Sequence, residues 1–335
     1  MNRVSSALAL GVGILVALTG PRSPAATPTV VFATGFERSE GYTNDFDLAG
    51  QNGWIAFGTG GNGIVTNFFD SLGSVAGAQQ AYIGFSPPAP EDTNDFLVLL
   101  RPLNYSPITN GNPLVKFSVL MAITTSTTTN RDDFRWSVYN IEEQRLFTVD
   151  FDTTEFLVNY ALDDGRDFWT TGVTFTNDVI YELELTMNLA LNQWSATLDS
   201  QQVFQDLPIT TTNSVLNIGD IDAVWAIRNP GAAGDNYMVF DNYLVTAEPV
   251  TAPRLGGEVH ASGEFLLQLT EGVPGRSYII DISADLRDWV PAKTNTAADG
   301  TFDWLDRSAS GADRRFYRAR EAPQLRSFYS TNLGS

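Results

Sequence analysis

Two short stretches carry carboxylates at spacings that suit acid–base chemistry. In Asp150-Phe151-Asp152-Thr153-Thr154-Glu155, strand alternation puts Asp150 and Asp152 on one face, and Glu155 reaches that face only through a bulge. Retaining glycoside hydrolysis needs two carboxyl groups about 5 to 5.5 Å apart. Asp150, Asp152 and Glu155 are the carboxylates such chemistry could draw on, a reading that rests on the family resemblance given below, and the plain alternative is a strand that ends in charged side chains. In Glu182-Leu183-Glu184 the place of a third carboxylate is taken by Met187. Glu182 and Glu184 read as a solvated strand face. With Trp169, the tryptophan expected to be exposed just beyond Asp164-Gly165, they are the candidate ligand-binding residues. Sugars are held by aromatic faces together with amides and carboxylates.

A third group of acidic residues suits calcium, which takes six to eight oxygens from Asp, Asn and backbone carbonyls. The candidate ligands are Asp241 and Asn242, and Asp220 and Asp222, with Asp132 and Asp133, and Asp163, Asp164 and Asp167, as further sets. None has EF-hand spacing, so ligands would have to converge from separate loops. The alternative is a set of acidic turns that keep the chain soluble. His260 has no nucleophile-elbow pattern near it. Gly58-Thr59-Gly60-Gly61-Asn62-Gly63 lacks the Lys of a phosphate-binding loop and reads as a flexible turn.

Composition removes several other chemistries. The 335 residues include no Cys and one His, which excludes disulfide scaffolds, thiolate chemistry and multi-His metal sites. A net charge of −19 with only two lysines, Lys116 and Lys293, argues against nucleic acid as a partner. Residues 1–26 read as a signal peptide: Arg3, an apolar stretch from Ala7 to Leu18 too short to span a bilayer, then Ser23-Pro24-Ala25. The expected location is outside the cytoplasm, extracellular or periplasmic, with no membrane span after signal removal.

The elements that must position these residues are strands. Val115 to Ile123, Phe134 to Tyr139, Arg145 to Phe151, Ile180 to Asn188, Trp194 to Leu198 and Tyr237 to Thr246 are rich in β-branched and aromatic residues. Tyr181, Leu183, Leu185 and Met187 alternate with Glu182, Glu184, Thr186 and Asn188, the pattern of a half-buried strand. Asn52-Gly53, Asn62-Gly63, Asn110-Gly111 and Asp164-Gly165 suit tight turns. Trp136 and Trp194 are expected to point inward.

Charge divides the chain. Residues 27–251 hold 28 acidic and 8 basic side chains, whereas residues 252–335 hold 11 acidic and 10 basic. The reading is a β domain over 27–248, a linker over 249–254 with Pro249 and Pro253, a small β-sandwich module over 255–320, and a tail over 321–335. About five strands are expected in the module, with Tyr278, Trp289, Trp304, Phe316 and Tyr317 forming much of its core. Arg314 to Arg320 is locally basic. It reads as a charged edge strand, with docking to an anionic surface as the alternative.

Gly35-Phe36-Glu37, Gly41-Tyr42, Leu48, Gly50-Gln51 and Gly53-Trp54, with the closing Tyr237-Met238-Val239-Phe240-Asp241-Asn242-Tyr243, resemble the first and last strands of secreted bacterial concanavalin A-like (laminin-G-like) jelly rolls. The second part, with Gly275-Arg276-Ser277-Tyr278, Asp288-Trp289 and Arg315-Phe316-Tyr317-Arg318-Ala319, is similar to C-terminal modules of Verrucomicrobia-type secreted proteins. The resemblance implies an all-β fold, a two-sheet antiparallel jelly-roll sandwich followed by a small β-sandwich domain, and a structural calcium as the cofactor. It leaves activity open, because the fold hosts lectins, glycosidases, lyases and adhesion modules. Laminarinase-like glucanases of this fold carry Glu-x-Asp-x-x-Glu, and Asp150 stands where their first Glu would be, one methylene short.

The preferred expectation is a non-catalytic protein that binds carbohydrate, as polysaccharide, or the cell surface. A polysaccharide-active enzyme, hydrolase or lyase, and a purely structural surface or matrix component are the two alternatives.

Overall fold

The computed structural model describes residues 28–72, 77–163, 165, 167–250, 253–272, 275–312 and 314–322. The expected signal segment, Asp164, Thr251 and Ala252 of the expected linker and most of the expected tail lie outside the described residues. The chain divides into two compact units, with the break between Val250 and Thr251.

The larger unit is built from β1 (Thr29–Thr34), β2 (Ile55–Phe57), β3 (Asn62–Thr66), β4 (Gln79–Gly84), β5 (Phe96–Leu100), β6 (Leu114–Ile123), β7 (Asp133–Tyr139), β8 (Arg145–Asp152), β9 (Leu157–Leu162), β10 (Trp169–Thr174), β11 (Tyr181–Asn188), β12 (Gln193–Leu198), β13 (Gln201–Leu207), β14 (Asp220–Ala226) and β15 (Tyr237–Glu248). Its described α-helices are two single turns, Phe68–Ser71 and Pro107–Asn110. One sheet runs β13-β12-β11-β6-β15-β4-β3, with β1 also paired to β15; the other runs β10-β9-β8-β7-β14-β5-β2. Every described pairing is antiparallel, and the unit is an all-β jelly-roll sandwich.

Period-two patterning sets the two faces. On β11, Leu183, Leu185 and Met187 are fully buried while Glu182 and Glu184 are exposed. On β8, Phe147, Val149 and Phe151 point inward, which sends Thr148, Asp150 and Asp152 to the outer face. Trp136 and Trp194 are buried as expected, and so are Trp54 and Trp225. Phe147 stacks on Trp194 with ring centroids 3.6 Å apart, and Trp54, Trp136, Phe117 and Phe240 pack around the buried Tyr243 and one another. An aromatic pair of this kind adds about 0.5–1.5 kcal/mol beyond its buried area.

The glycine-rich stretch is a packing device. Gly60 lies against the Trp225 ring, and a Cβ on Gly61 would clash with the Gly84 carbonyl oxygen. Asn62-Gly63, expected as a turn, lies in β3 for the same reason: the chain runs straight on against β4.

The smaller unit has β16 (Arg254–Val259), β17 (Phe265–Thr270), β18 (Arg276–Ser283), β19 (Val290–Ala297), β20 (Phe302–Asp306) and β21 (Phe316–Glu321), in three-stranded sheets β16-β17-β20 and β19-β18-β21. β16 went unanticipated because Gly256-Gly257 has weak strand propensity. The core differs from expectation. It is Leu267, Leu269, Tyr278, Ile280, Ala297 and Phe302, with Trp304 and Tyr317 packed on its margin. Trp289 is outside it, its ring covered by the Arg318 guanidinium at 4.5 Å. The basic strand β21 is an edge strand whose Arg318 and Arg320 both pair with the buried Asp281.

Candidate functional site

β7 and β8 pair with Arg135 directly opposite Asp150, on the outer face of the seven-stranded sheet. Arg135 Nε donates to Asp150 Oδ1 at 2.7 Å, and Asn159 of β9 donates its amide to Oδ2 at 3.4 Å. The Phe168 ring lies 4.7 Å from the Arg135 guanidinium carbon. One pleat along, Asp133 and Asp152 take the same face. Arg228, from the segment after β14, places Nη2 2.9 Å from Asp133 and 2.8 Å from Asp152. The Thr153 N–H donates to Asp133 at 3.0 Å.

The neighbouring Asp132 turns the other way and fixes the segment that carries Arg228. Its carboxylate accepts from Trp225 Nε1, Arg228 N–H and Gly234 N–H at 3.1, 2.9 and 2.7 Å. Burial pushes Asp133 up to about 6, with the Asp150 charge adding to the rise and Thr153 and Arg228 opposing it. Burial also raises Asp150 against the pull of Arg135.

Arg228 forms a wall shared by two adjoining open clefts. The larger, about 410 Å³, is lined by Thr129, Asn130, Arg131, Asp132, Thr154, Asn229 and Ala232. The smaller, about 120 Å³, is lined by Asp95, Phe96, Asp133, Arg135, Ala226 and Ile227. The same outer face ends in exposed aromatics: Phe96 of β5 opposite Ala226, and Phe57 of edge strand β2, which is 56% exposed. Ion-paired carboxylates, guanidinium N–H groups, amides and aromatic faces thus line one sheet surface. Such a set can hydrogen-bond hydroxyl groups and cover an apolar ring face.

Sequence reasoning placed Asp150 and Asp152 correctly on one face, but the two carboxylates are 4% exposed and ion-paired, respectively. Glu155 does not join them. It stands in the β8–β9 turn, where its backbone N–H donates to Asp152 Oδ1 at 3.0 Å. Trp169 is half exposed and tilts against Tyr160 at the β10 edge of the seven-stranded sheet, whereas Glu182 and Glu184 lie on the other sheet. The structure does not bring these three together. Arg228 and Arg135 were missed. Arg135 alternates with buried Phe134 and Trp136 and was findable by that pattern, but Arg228 lies in a segment with no local signal.

The four calcium candidates divide between the sheets. Asp220 and Asp222 stand on β14 of the seven-stranded sheet and hydrogen-bond to each other, burial and mutual repulsion holding Asp222 well above the usual carboxylate range. Asp222 Oδ1 is buried and accepts no hydrogen bond among the described residues. Asp241 and Asn242 sit instead in a register shift of β15. Asp241 is fully buried, and burial pushes it up to about 7 against hydrogen bonds from the Asn242 N–H and the Gln80 side chain, with the Glu37 and Glu40 charges adding to the rise. Glu37, unanticipated as part of this group, accepts N–H bonds from Ala78 and Gln79 at 2.7 and 3.2 Å. Among the described residues no three Asp, Glu, His or Cys side chains form a metal cage by themselves.

No protein-family profile and no curated protein sequence matches the chain. Solved structures resemble it in part. A sialidase aligns over 65% of this chain at 10% identity and a TM-score of 0.43, and the match spans 18% of the sialidase's length. The conserved carbohydrate esterase of Shiga toxin-encoding bacteriophage phi24B aligns over 66% of this chain and 100% of its own, at 14% identity and a TM-score of 0.45. The carbohydrate binding module CBM66 from Bacillus subtilis aligns over 60% of this chain and 99% of its own, at 12% identity and a TM-score of 0.34.

Proposed function

We propose that this chain is a non-catalytic, exported protein that binds polysaccharide on the outer face of its seven-stranded sheet, along the clefts beside Arg228. The observation that carries the reading is the continuity of that face. Phe96 lines the smaller Arg228 cleft, and the exposed Phe57 stands on the same sheet face one strand further out, opposite Val98 of β5, so polar clefts and aromatic rings share one surface. The carboxylates are held in place by Arg135 and Arg228, which suits fixed acceptors for sugar hydroxyls better than a nucleophile that must be free to attack.

A hydrolase or lyase reading is favoured by one feature, the Asp133 carboxyl raised to about 6 by burial, since a carboxyl that holds its proton near neutral pH can act as a general acid. Against it, Asp133 is 7% exposed and bonded to both Thr153 and Arg228. Affinity electrophoresis in soluble glucans, xylans and galactans tests the binding reading: wild-type protein is retarded, and Phe57→Ala loses at least half of the retardation without a change in thermal midpoint. Release of reducing ends from the same polymers, abolished in Asp133→Asn, would replace it with the enzymatic one.

A further inference from the structure

Positive charge is scarce in the larger unit and unevenly placed. Residues 27–251 hold 8 basic side chains against 28 acidic ones, yet Arg131, Arg135 and Arg228 all line the two adjoining clefts. Lys116 and Arg145, by contrast, are committed to Glu248 and to the Asp163 and Gly165 carbonyls.

The larger cleft presents donors. Its one carboxylate, Asp132, is 1% exposed, and N–H groups take both of its oxygens. Asp133 and Asp152 share Arg228 Nη2, which leaves Nε and Nη1 of that guanidinium without a partner among the described residues. Arg131 is exposed and has no carboxylate partner among the described residues; its guanidinium carbon lies 5.7 Å from the Phe156 ring. Asn229 commits its Oδ1 to the Gly231 N–H at 3.2 Å, so its amide nitrogen is what it can offer a ligand.

The two arginine-bearing segments are fixed against each other. Asp132 holds Arg228 and Gly234 through their N–H groups, and Asn236 brackets Asp132, accepting its N–H at 3.1 Å and donating to its carbonyl at 2.8 Å. A Cβ on Gly234 would lie 2.9 Å from the Asn130 carbonyl oxygen and 3.2 Å from Arg131 Cα, so backbone packs on backbone where the segments meet. Donors held in place beforehand lose little freedom when a ligand arrives.

A sugar hydroxyl both donates and accepts, and a mixed lining meets it best. A lining rich in guanidinium N–H groups, with its one carboxylate buried, suits a group that only accepts. We propose that the larger cleft takes the carboxylate of a uronate residue in the polysaccharide, with Arg131 meeting it through two parallel N–H bonds and Arg228 Nη1 and the Asn229 amide adding donors. On the reading of this face as a polysaccharide site, on which the assignment rests, acidic polymers are preferred over uncharged ones of the same backbone. The negative field of the rest of the unit is screened over about 8 Å at physiological salt. The charges that line the cleft therefore decide at contact.

The test is biolayer interferometry of the full chain on immobilised polygalacturonate and alginate, on the uncharged ester of each, and on dextran sulfate, at neutral pH and physiological salt. Wild type is expected to bind one of the two uronate polymers at least about tenfold more tightly than its ester, which keeps the backbone and removes the charge. Arg131→Ala should bind acid and ester alike, with an unchanged thermal midpoint because no carboxylate depends on that side chain. Arg131→Lys, a point charge without the fork, should recover only part of the preference. Wild type that binds the esters or neutral glycans as tightly as the uronates would overturn the carboxylate assignment and leave the polysaccharide reading standing. Binding to none of these polymers, nor to neutral glucans, xylans and galactans, would overturn both. Dextran sulfate bound as tightly as the uronates would mark general attraction to anions and overturn the assignment, and so would a preference undiminished in Arg131→Ala.

Discussion

Replacing Arg228 with Ala removes one guanidinium from two carboxylates at once. Its partners Asp133 and Asp152 have side chains only 10% and 22% exposed, while Arg228 itself is 41% exposed. An exposed ion pair contributes about 0.2–1 kcal/mol, and stripping a partner from a buried one costs about 3–5 kcal/mol. This site lies between, so the expected loss at pH 8 is about 2 kcal/mol, or about 4–8 °C for a unit of this size. The loss depends on pH with a definite sign. Asp133, held at about 6 with Arg228 present, moves higher without it. A carboxyl whose folded pKa lies above its unfolded value makes the native state bind the extra proton. Stability therefore falls as pH rises from about 4 through the folded pKa. The gap between wild type and Arg228→Ala should be under about 1 kcal/mol at pH 5 and about 2 kcal/mol at pH 8. Urea unfolding followed by tryptophan emission reports it, since five of the seven tryptophans precede residue 251. An equal gap at the two pH values would refute the assignment of Arg228 as the counter-charge of Asp133.

Three further outcomes follow from the packing and the loops. Trp194→Ala breaks the stack on Phe147 and the edge contact with Phe204, and should cost about 3–5 kcal/mol by denaturant titration. Gly61→Ala drives a methyl into the Gly84 carbonyl, with Ser86 N only 2.8 Å away, and should cost about 2–3 kcal/mol in the same assay, because backbone on both sides cannot yield cheaply. Asp235 is held down to about 2 by the Ser126 and Thr127 hydroxyls and the Thr127 N–H. Its folded pKa lies below its unfolded one, so its contribution is present above pH 4 and is lost as pH falls toward 2. Asp235→Ala should therefore lower the thermal midpoint at pH 6 and leave it unchanged near pH 2.

The sandwich was legible because alternation is local: Leu183, Leu185 and Met187 against Glu182 and Glu184 state which face is wet before any partner strand is known. The outer-face carboxylates Asp150 and Asp152 followed by the same rule. What could not be read was convergence from distant segments. Arg228 reaches Asp133 and Asp152 across 95 and 76 residues, and Glu37 meets Ala78 from 41 residues away. Glycine was ambiguous for a related reason. Asn62-Gly63 has turn composition, but the close approach of Gly61 to Gly84 makes it strand. In the smaller unit, aromatic content pointed to Trp289 as core, while the aliphatic face of β17 with Tyr278 and Ile280 fills that place and leaves Trp289 to Arg318.

The central claim is that the Arg228 face binds sugar. A glycan array probed with wild-type protein and with Arg228→Ala at pH 5, where the variant is expected to be close to wild type in stability, tests it most directly. The account predicts retention on one class of polysaccharide by the wild type and at least a tenfold weaker signal from the variant. Retention of equal strength by both proteins, or none by the wild type on any glycan, would contradict it.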